Sequence, residues 1–349
     1  MNRRSTVDVA PTLDAPAIMT AAVARRYGSP DVVSVEEVPV PTPDAGEVLV
    51  QVEASSLNAL DVHFLTGTPY FIRVVAGLRR PKRIVPGADL AGTVIAVGRG
   101  VADLAPGDLV FGESERGGCA PYAIVDASHV ARLPSGVSFE AAGATPVAGL
   151  TAIQALRTHA TVQPGESVLI NGAAGGVGTF AVQIAKALDA RVTAVCSTRN
   201  VDMVRALGAD EAIDYTGDDF VSGGARFDVM VDNVGNRSAA ECLGVLRPRA
   251  RYVAVSGPKV NRWLGPVPHI ARTALAFRRS DRSFHQFTAS PNRDDLAALG
   301  ELLATGRVVP RIDRVIGLDA IADGLAELAT GHARAKIVVV PTRSMPVGS

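Results

Sequence analysis

The chain has 349 residues, 47% of them hydrophobic and 20% charged, so it can bury cores over most of its length and is not an intrinsically disordered chain. Thirty-five basic residues balance thirty-five acidic ones, which excludes a global field that would steer the chain onto nucleic acid or anionic lipid. At roughly 150 residues per domain the length points to about two domains, and the expected partner is a small molecule, with no nucleic acid and no membrane.

Residues 1–17 contain Arg3, Arg4, Pro11 and Pro16 but no apolar h-region, so they read as a disordered N-terminal extension and not as a secretory signal. From Thr20 to about Ala131, short β-rich runs alternate with Gly and Pro: Glu47 to Val52, Gly92 to Val97, Asp108 to Phe111 and Tyr122 to Val125. Turn pairs such as Pro106-Gly107-Asp108 punctuate them, and the region reads as a small, mostly β domain. After Gly136 the texture changes. Glu140 to Leu156 reads as helix, Ser167 to Ile170 as strand, and Thr179 to Leu188 as helix. Val192 to Cys196, Asp228 to Asp232 and Tyr252 to Val255 then continue as brief apolar runs with helical patterns between them, which predicts βαβ units around a parallel sheet. Helices over Asp294 to Thr305 and Leu318 to Thr330 and a strand over Lys336 to Val340 follow. Local pattern leaves open whether these last elements extend the sheet or return to the first domain.

Ala141 to Leu156 is uncharged but carries Gly143, Pro146 and Gly149 and falls short of the about 20 residues a bilayer span needs. Cys119, Cys196 and Cys242 are odd in number, widely spaced and without a CxxC pair, so neither a disulfide framework nor a zinc ribbon is expected, and a reducing cytoplasm fits. Cys119, beside two glycines, is a reactive thiol if exposed.

The sharpest local signal is the run from Val168 to Gly178, where a strand enters a glycine-rich turn and a helix begins near Val177. Glycines let the backbone approach a pyrophosphate, and the helix start offers unpaired N–H groups and a positive dipole end. The pattern is A-x-G-x-x-G over Ala173, Gly175 and Gly178, with Gly172 beside it; Gly172, Ala174, Gly175, Gly176 and Val177 are the candidate dinucleotide-binding residues. At the end of the next strand, where a carboxylate would select a ribose 2′-OH, the chain reads Cys196-Ser197-Thr198-Arg199-Asn200. Ser197, Thr198 and Arg199 suit a 2′-phosphate, so NADPH is the expected cofactor. The plainer reading is that Arg199 only starts the next helix. Asn233, Val234, Ser256 and Gly257 follow strand carboxyl ends and are expected to line the nicotinamide and ribose path.

These pieces together resemble the zinc-free medium-chain dehydrogenases/reductases of the quinone oxidoreductase type. The resemblance is carried by Asn58-Ala-Leu-Asp61, Pro86 to Gly92, Pro106-Gly-Asp108, Gly149-Leu-Thr151, the Gly172 to Gly178 turn, Ala206 to Asp210 and Gly331 to Lys336. It implies an α/β fold in which a GroES-like, mostly β catalytic domain (residues 18–142 with 283–343) carries an inserted Rossmann doubly wound parallel-sheet domain (143–282). Zinc-containing relatives place Cys where this chain has Asn58 and His-Glu where it has Ala88-Asp89, and residues 145–148 offer no third ligand. Gly112 to Ala120 holds one cysteine where a structural site needs four. No metal is therefore expected.

Without a Lewis acid, alcohol oxidation is disfavoured and activated acceptors are favoured, namely quinones or α,β-unsaturated carbonyls that spread the arriving charge themselves. Other zinc-independent oxidoreductases (enoyl-thioester or aldehyde/alcohol-linked) and a non-catalytic NADPH-binding protein are the alternatives. The resemblance puts Asn58 near the nicotinamide as a catalytic and cofactor-binding candidate, with Asp61 organising the loop. His63 or Tyr70 is the candidate proton or hydrogen-bond donor. Thr151 is implied as a cofactor contact and Tyr215 as a neighbour of the adenosine phosphate. Lys336 faces cofactor or only starts a strand. A homodimer is expected. The basic cluster Arg73, Arg79, Arg80, Lys82 and Arg83 reads as a solvated face, and the apolar stripe from Trp263 to Phe277 as a packed helix.

Overall fold

The computed structural model describes residues 15–258 and 261–342; most of the expected N-terminal extension lies outside the described residues. Two sheets organise the rest. The first has seven strands, with Ile312–Ile316, Lys336–Val339, Glu47–Leu57, Asp89–Val97, Leu109–Glu113 and Val130–Arg132 in that order and Tyr122–Asp126 paired to Glu47–Leu57. Lys336–Val339 runs antiparallel to Glu47–Leu57, with Ile337 opposite Leu57. This pairing of the two chain ends answers the question that local pattern left open: the last strand returns to the first domain. A hairpin of Ile18–Val23 and Ser34–Pro39 lies beside this sheet.

The second sheet is wholly parallel. Its order is Glu211–Asp214, Arg191–Cys196, Ser167–Asn171, Phe227–Asp232, Leu246–Ala254, Ser283–Gln286, the 3-2-1-4-5-6 arrangement of a doubly wound dinucleotide fold. The central strands are buried on both faces, as their unbroken apolar runs require. The boundary expected at residue 283 is corrected by this sheet. Arg251 to Ala254 pair in register with Ser283 to Gln286, so the strand that was to open the returning segment belongs to the parallel sheet.

Two further differences are local. The single helix expected over Glu140 to Leu156 is two, Phe139–Gly143 and Pro146–Ile153, followed by a π-helical turn over Gln154–His159. Pro146 cannot donate within a helix but is preorganised for a first position, and it restarts the helix there. The helix expected near Trp263 begins at Val267 and ends at Phe277. No helix among the described residues is long and apolar enough to cross a membrane.

Candidate active site

The glycine-rich turn follows strand Ser167–Asn171 and feeds helix Gly176–Ala187. Gly172 has φ of +78°, a conformation side chains resist. Gly178 packs so closely on the turn that a Cβ there would lie 2.7 Å from the Ala173 Cα, whereas Gly175 opens outward with nothing nearer than 3.7 Å. That leaves room for a ligand backbone at the helix start. Ala174 and Val177 flank the turn, and the Ala174 carbonyl accepts from Ala335 N at 2.9 Å, which ties the returning segment to it.

The loop after Phe227–Asp232 is shaped by Asp232, a buried carboxylate the sequence reading passed over. It accepts from Asn171 Nδ2, Val234 N, Gly235 N and the Tyr252 hydroxyl at 2.7 to 3.0 Å. Asn233 is thereby held at the ligand edge. Its Nδ2 donates to Asn171 O, while its Oδ1 is buried without a partner among the described residues. A buried orphan acceptor beside a glycine cradle fits a dinucleotide with its own donors. Ser256 is exposed, and Gly257 packs against Pro266 at the same edge.

Where the sequence reading expects the adenosine phosphate, Tyr215 is half exposed and its N–H donates to Cys196 O. Thr198 and Thr216 share a hydroxyl contact of 2.8 Å beside Asp214, and Ser197 accepts from Asn200 Nδ2. Arg199 donates to His332 O at 3.0 Å. It borders a cavity of about 360 Å³ that is also lined by Arg334, Thr330, His332 and two carboxylates, Asp313 and Glu327.

The cleft floor is a buried polar cluster. Asn58 precedes helix Ala59–Thr66, and Asp61 accepts from its N–H at 2.8 Å and from Gly87 N at 3.0 Å while pairing with Arg83. Burial pushes the Asp61 carboxyl up and Arg83 opposes that push; its role is to fix the loop. Asp89 is fully buried. Its Oδ1 accepts from Val147 N at 2.7 Å, at the start of the helix Pro146–Ile153, and its Oδ2 accepts from Asn58 Nδ2 at 2.8 Å, from Lys336 Nζ at 3.0 Å and from the Ser56 hydroxyl. Lys336 also donates to Asn58 Oδ1 at 2.5 Å. Its stem runs beneath Gly176, where a Cβ would sit 3.4 Å from the Lys336 Cδ. One side chain thus joins the cleft floor to the turn.

Zinc does not fit this donor set. Asn58 has both its side-chain nitrogen and its oxygen engaged, Ala88 has no ligand atom, and the Lys336 cation already sits on Asp89. Among the described residues no group of three or more His, Cys, Asp or Glu is placed to hold a metal. Glu113 stands opposite Asp89 across the sheet and so shares its face. Burial, and then the Asp89 charge, push its carboxyl up to about 8.

The catalytic candidates part here. His63 Nδ1 lies 2.8 Å from Thr68 O. The Tyr70 ring packs edge-on against Trp263 at 5.1 Å, with Arg73 and Arg262 over its faces. Thr151 donates to Val147 O within its own helix. Cys119 is buried, and burial raises its thiol to about 12, so the reactive-thiol expectation is corrected.

The fold and this cleft define an oxidoreductase of two domains, one GroES-like and one nucleotide-binding. Residues 44–135 match the alcohol dehydrogenase GroES-like domain family and residues 207–339 the zinc-binding dehydrogenase family. Over 317 residues the chain is 32% identical to quinone-oxidoreductase QR1, chloroplastic, of Triphysaria versicolor, covering 87% of this chain and 93% of that one. It is 31% identical to the chloroplastic NADPH-dependent alkenal/one oxidoreductase of Arabidopsis thaliana, covering 96% and 83%. The solved quinone oxidoreductase of Coxiella burnetii superposes with a TM-score of 0.81 at 28% identity, covering 93% and 99%. The chain belongs to the medium-chain dehydrogenase/reductase family, in its quinone oxidoreductase-like branch.

Proposed function

We propose that the protein is an NADPH-dependent reductase of quinones or α,β-unsaturated carbonyls that works without zinc. The observation that carries this reading is the floor cluster, in which Asn58 and Asp89, at positions where zinc-containing relatives carry ligands, are tied to each other and to Lys336. An unactivated alkoxide has no strong partner there, whereas an enone or quinone delocalises incoming charge onto its own oxygen. Gly172 to Val177, Asn233, Val234, Ser256, Gly257 and Thr151 hold the dinucleotide in this reading, and Ser197, Thr198, Arg199 and Tyr215 its adenosine end. The bound nicotinamide supplies a hydride. Asn58, fixed by Lys336 and Asp89, orients the ring end of the cofactor; His63 and Tyr70 are the side chains proposed to donate a hydrogen bond or proton to the substrate oxygen.

Arg199, with no carboxylate among Ser197, Thr198 and Asn200 beside it, supports the preference for a 2′-phosphate. The open sheet edge at Ser283–Gln286 is the surface proposed for a homodimer. The three unpaired, buried cysteines suit a reducing compartment such as the cytoplasm. The test follows NADPH absorbance against quinones, enones, aldehydes and alcohols. Turnover of the first two classes is expected, and tight NADPH binding with no turnover of any class would instead favour a non-catalytic binding protein.

A further inference from the structure

Beyond the carboxyl ends of the parallel sheet, two segments from different domains join into one surface. Gly257 closes on Pro266, and Gly265 closes on Pro69, where a Cβ would lie 2.6 Å from the proline ring. Tyr70 N donates to Arg262 O at 2.8 Å and Phe71 N to Trp263 O at 3.4 Å. The surface therefore adjoins the side of the cleft where the nicotinamide path emerges.

It is unusual in two independent ways. Large apolar side chains point into solvent: Val74 is 71% exposed, Val75 69% and Leu78 73% on one segment, and Trp263 is 70% exposed on the other. Singly exposed apolar residues are ordinary; a contiguous group marks a docking face. The charge is also one-signed. Residues 69–83 carry five basic side chains and no acidic one, and residues 261–280 carry four and none, in a chain whose totals are 35 and 35. Arg83 turns inward to Asp61, but Arg79, Arg80, Lys82, Arg262, Arg272 and Arg278 are exposed on the same two segments.

We propose that this face docks on the surface of an anionic lipid bilayer, with Trp263 and the valines entering the headgroup boundary and the arginines meeting lipid phosphates. An apolar centre rimmed by cations is the pattern of interfacial binding, and neither part alone gives stable attachment. A second copy of the chain fits poorly, because a two-fold contact would set the same positive rim against itself. The chain-wide neutrality noted from composition conceals this local asymmetry. Docking stands apart from the reductase reading; the corollary that the acceptor is lipophilic and enters from the bilayer rests on it.

The test is flotation of the full chain with vesicles of phosphatidylcholine alone and of phosphatidylcholine mixed with phosphatidylglycerol, read without turnover. The chain is expected to float with the mixed vesicles, less so at high salt, and Trp263, its one tryptophan, is expected to shift its emission to the blue. Arg79→Glu with Arg80→Glu is expected to lower the partition coefficient about tenfold or more. Val74→Ser with Val75→Ser is expected to weaken binding at every salt concentration while leaving the thermal midpoint within a few degrees of the parent. No flotation on either vesicle, flotation that ignores these substitutions, or substitutions that instead split an oligomer in sedimentation equilibrium would each overturn the proposal.

Discussion

Replacing Lys336 by methionine tests the floor cluster directly. The substitution keeps the length of the stem beneath Gly176 and removes the cation. Asp89 then keeps three neutral donors, Asn58 Nδ2, Ser56 and Val147 N, but loses its only charged one. Leaving a buried charge without its partner costs roughly 3 to 5 kcal/mol, and the surviving hydrogen bonds put this case near 3 kcal/mol. Asp89→Asn strands the lysine instead and is expected to cost about as much. The double variant leaves no uncompensated charge, so it is expected to recover about 2 kcal/mol relative to the sum of the single losses. Because Lys336–Val339 pairs with Glu47–Leu57, amide exchange in Glu47–Leu57 reports the local free energy without assuming that both domains unfold together. Single losses below about 1 kcal/mol that simply add would refute the reasoning, since a solvent-screened pair behaves that way.

Gly178→Ala is expected to abolish dinucleotide binding, measured by calorimetry, because its methyl meets the Ala173 backbone and displaces the turn. Arg199→Ala is expected to lower kcat/KM for NADPH about tenfold or more and leave NADH nearly unchanged, the loss of one charge-assisted phosphate contact. The Glu113 carboxyl, raised from 4.5 to about 8, stays protonated in the folded chain where the unfolded chain has ionised. Stability therefore falls as pH rises from about 4.5 to about 8 and levels above it, by at most about 5 kcal/mol, and Glu113→Gln is expected to remove that slope in denaturation series at fixed pH values.

What could be read from the sequence was what neighbours in the chain determine. The run from Val168 to Gly178 carries its strand, turn and helix start within eleven positions, and its geometry follows from the glycines. The floor cluster is different in kind. Asn58, Asp89 and Lys336 lie far apart in the chain, and only the pairing of the two chain ends brings the lysine to the other two. In the sequence Asp89 and Asn58 read as places where metal ligands are missing, while Lys336 reads as a residue that faces cofactor or only starts a strand. Glu113 was invisible for the same reason, because its cross-strand partner sets its chemistry. The break at Pro146 was legible in principle, as a proline preceded by a threonine marks a helix start.

In the proposed reading the electrophile delocalises the incoming charge itself, since the cleft floor holds the Lys336–Asp89 ion pair. A matched pair of substrates, an α,β-unsaturated ketone and its saturated counterpart, tests this under NADPH with chelator-dialysed protein whose zinc content has been measured. The unsaturated ketone is expected to be reduced at its carbon–carbon double bond and the saturated one left untouched. Comparable turnover of the saturated ketone, or activity that rises with bound zinc, would contradict the account.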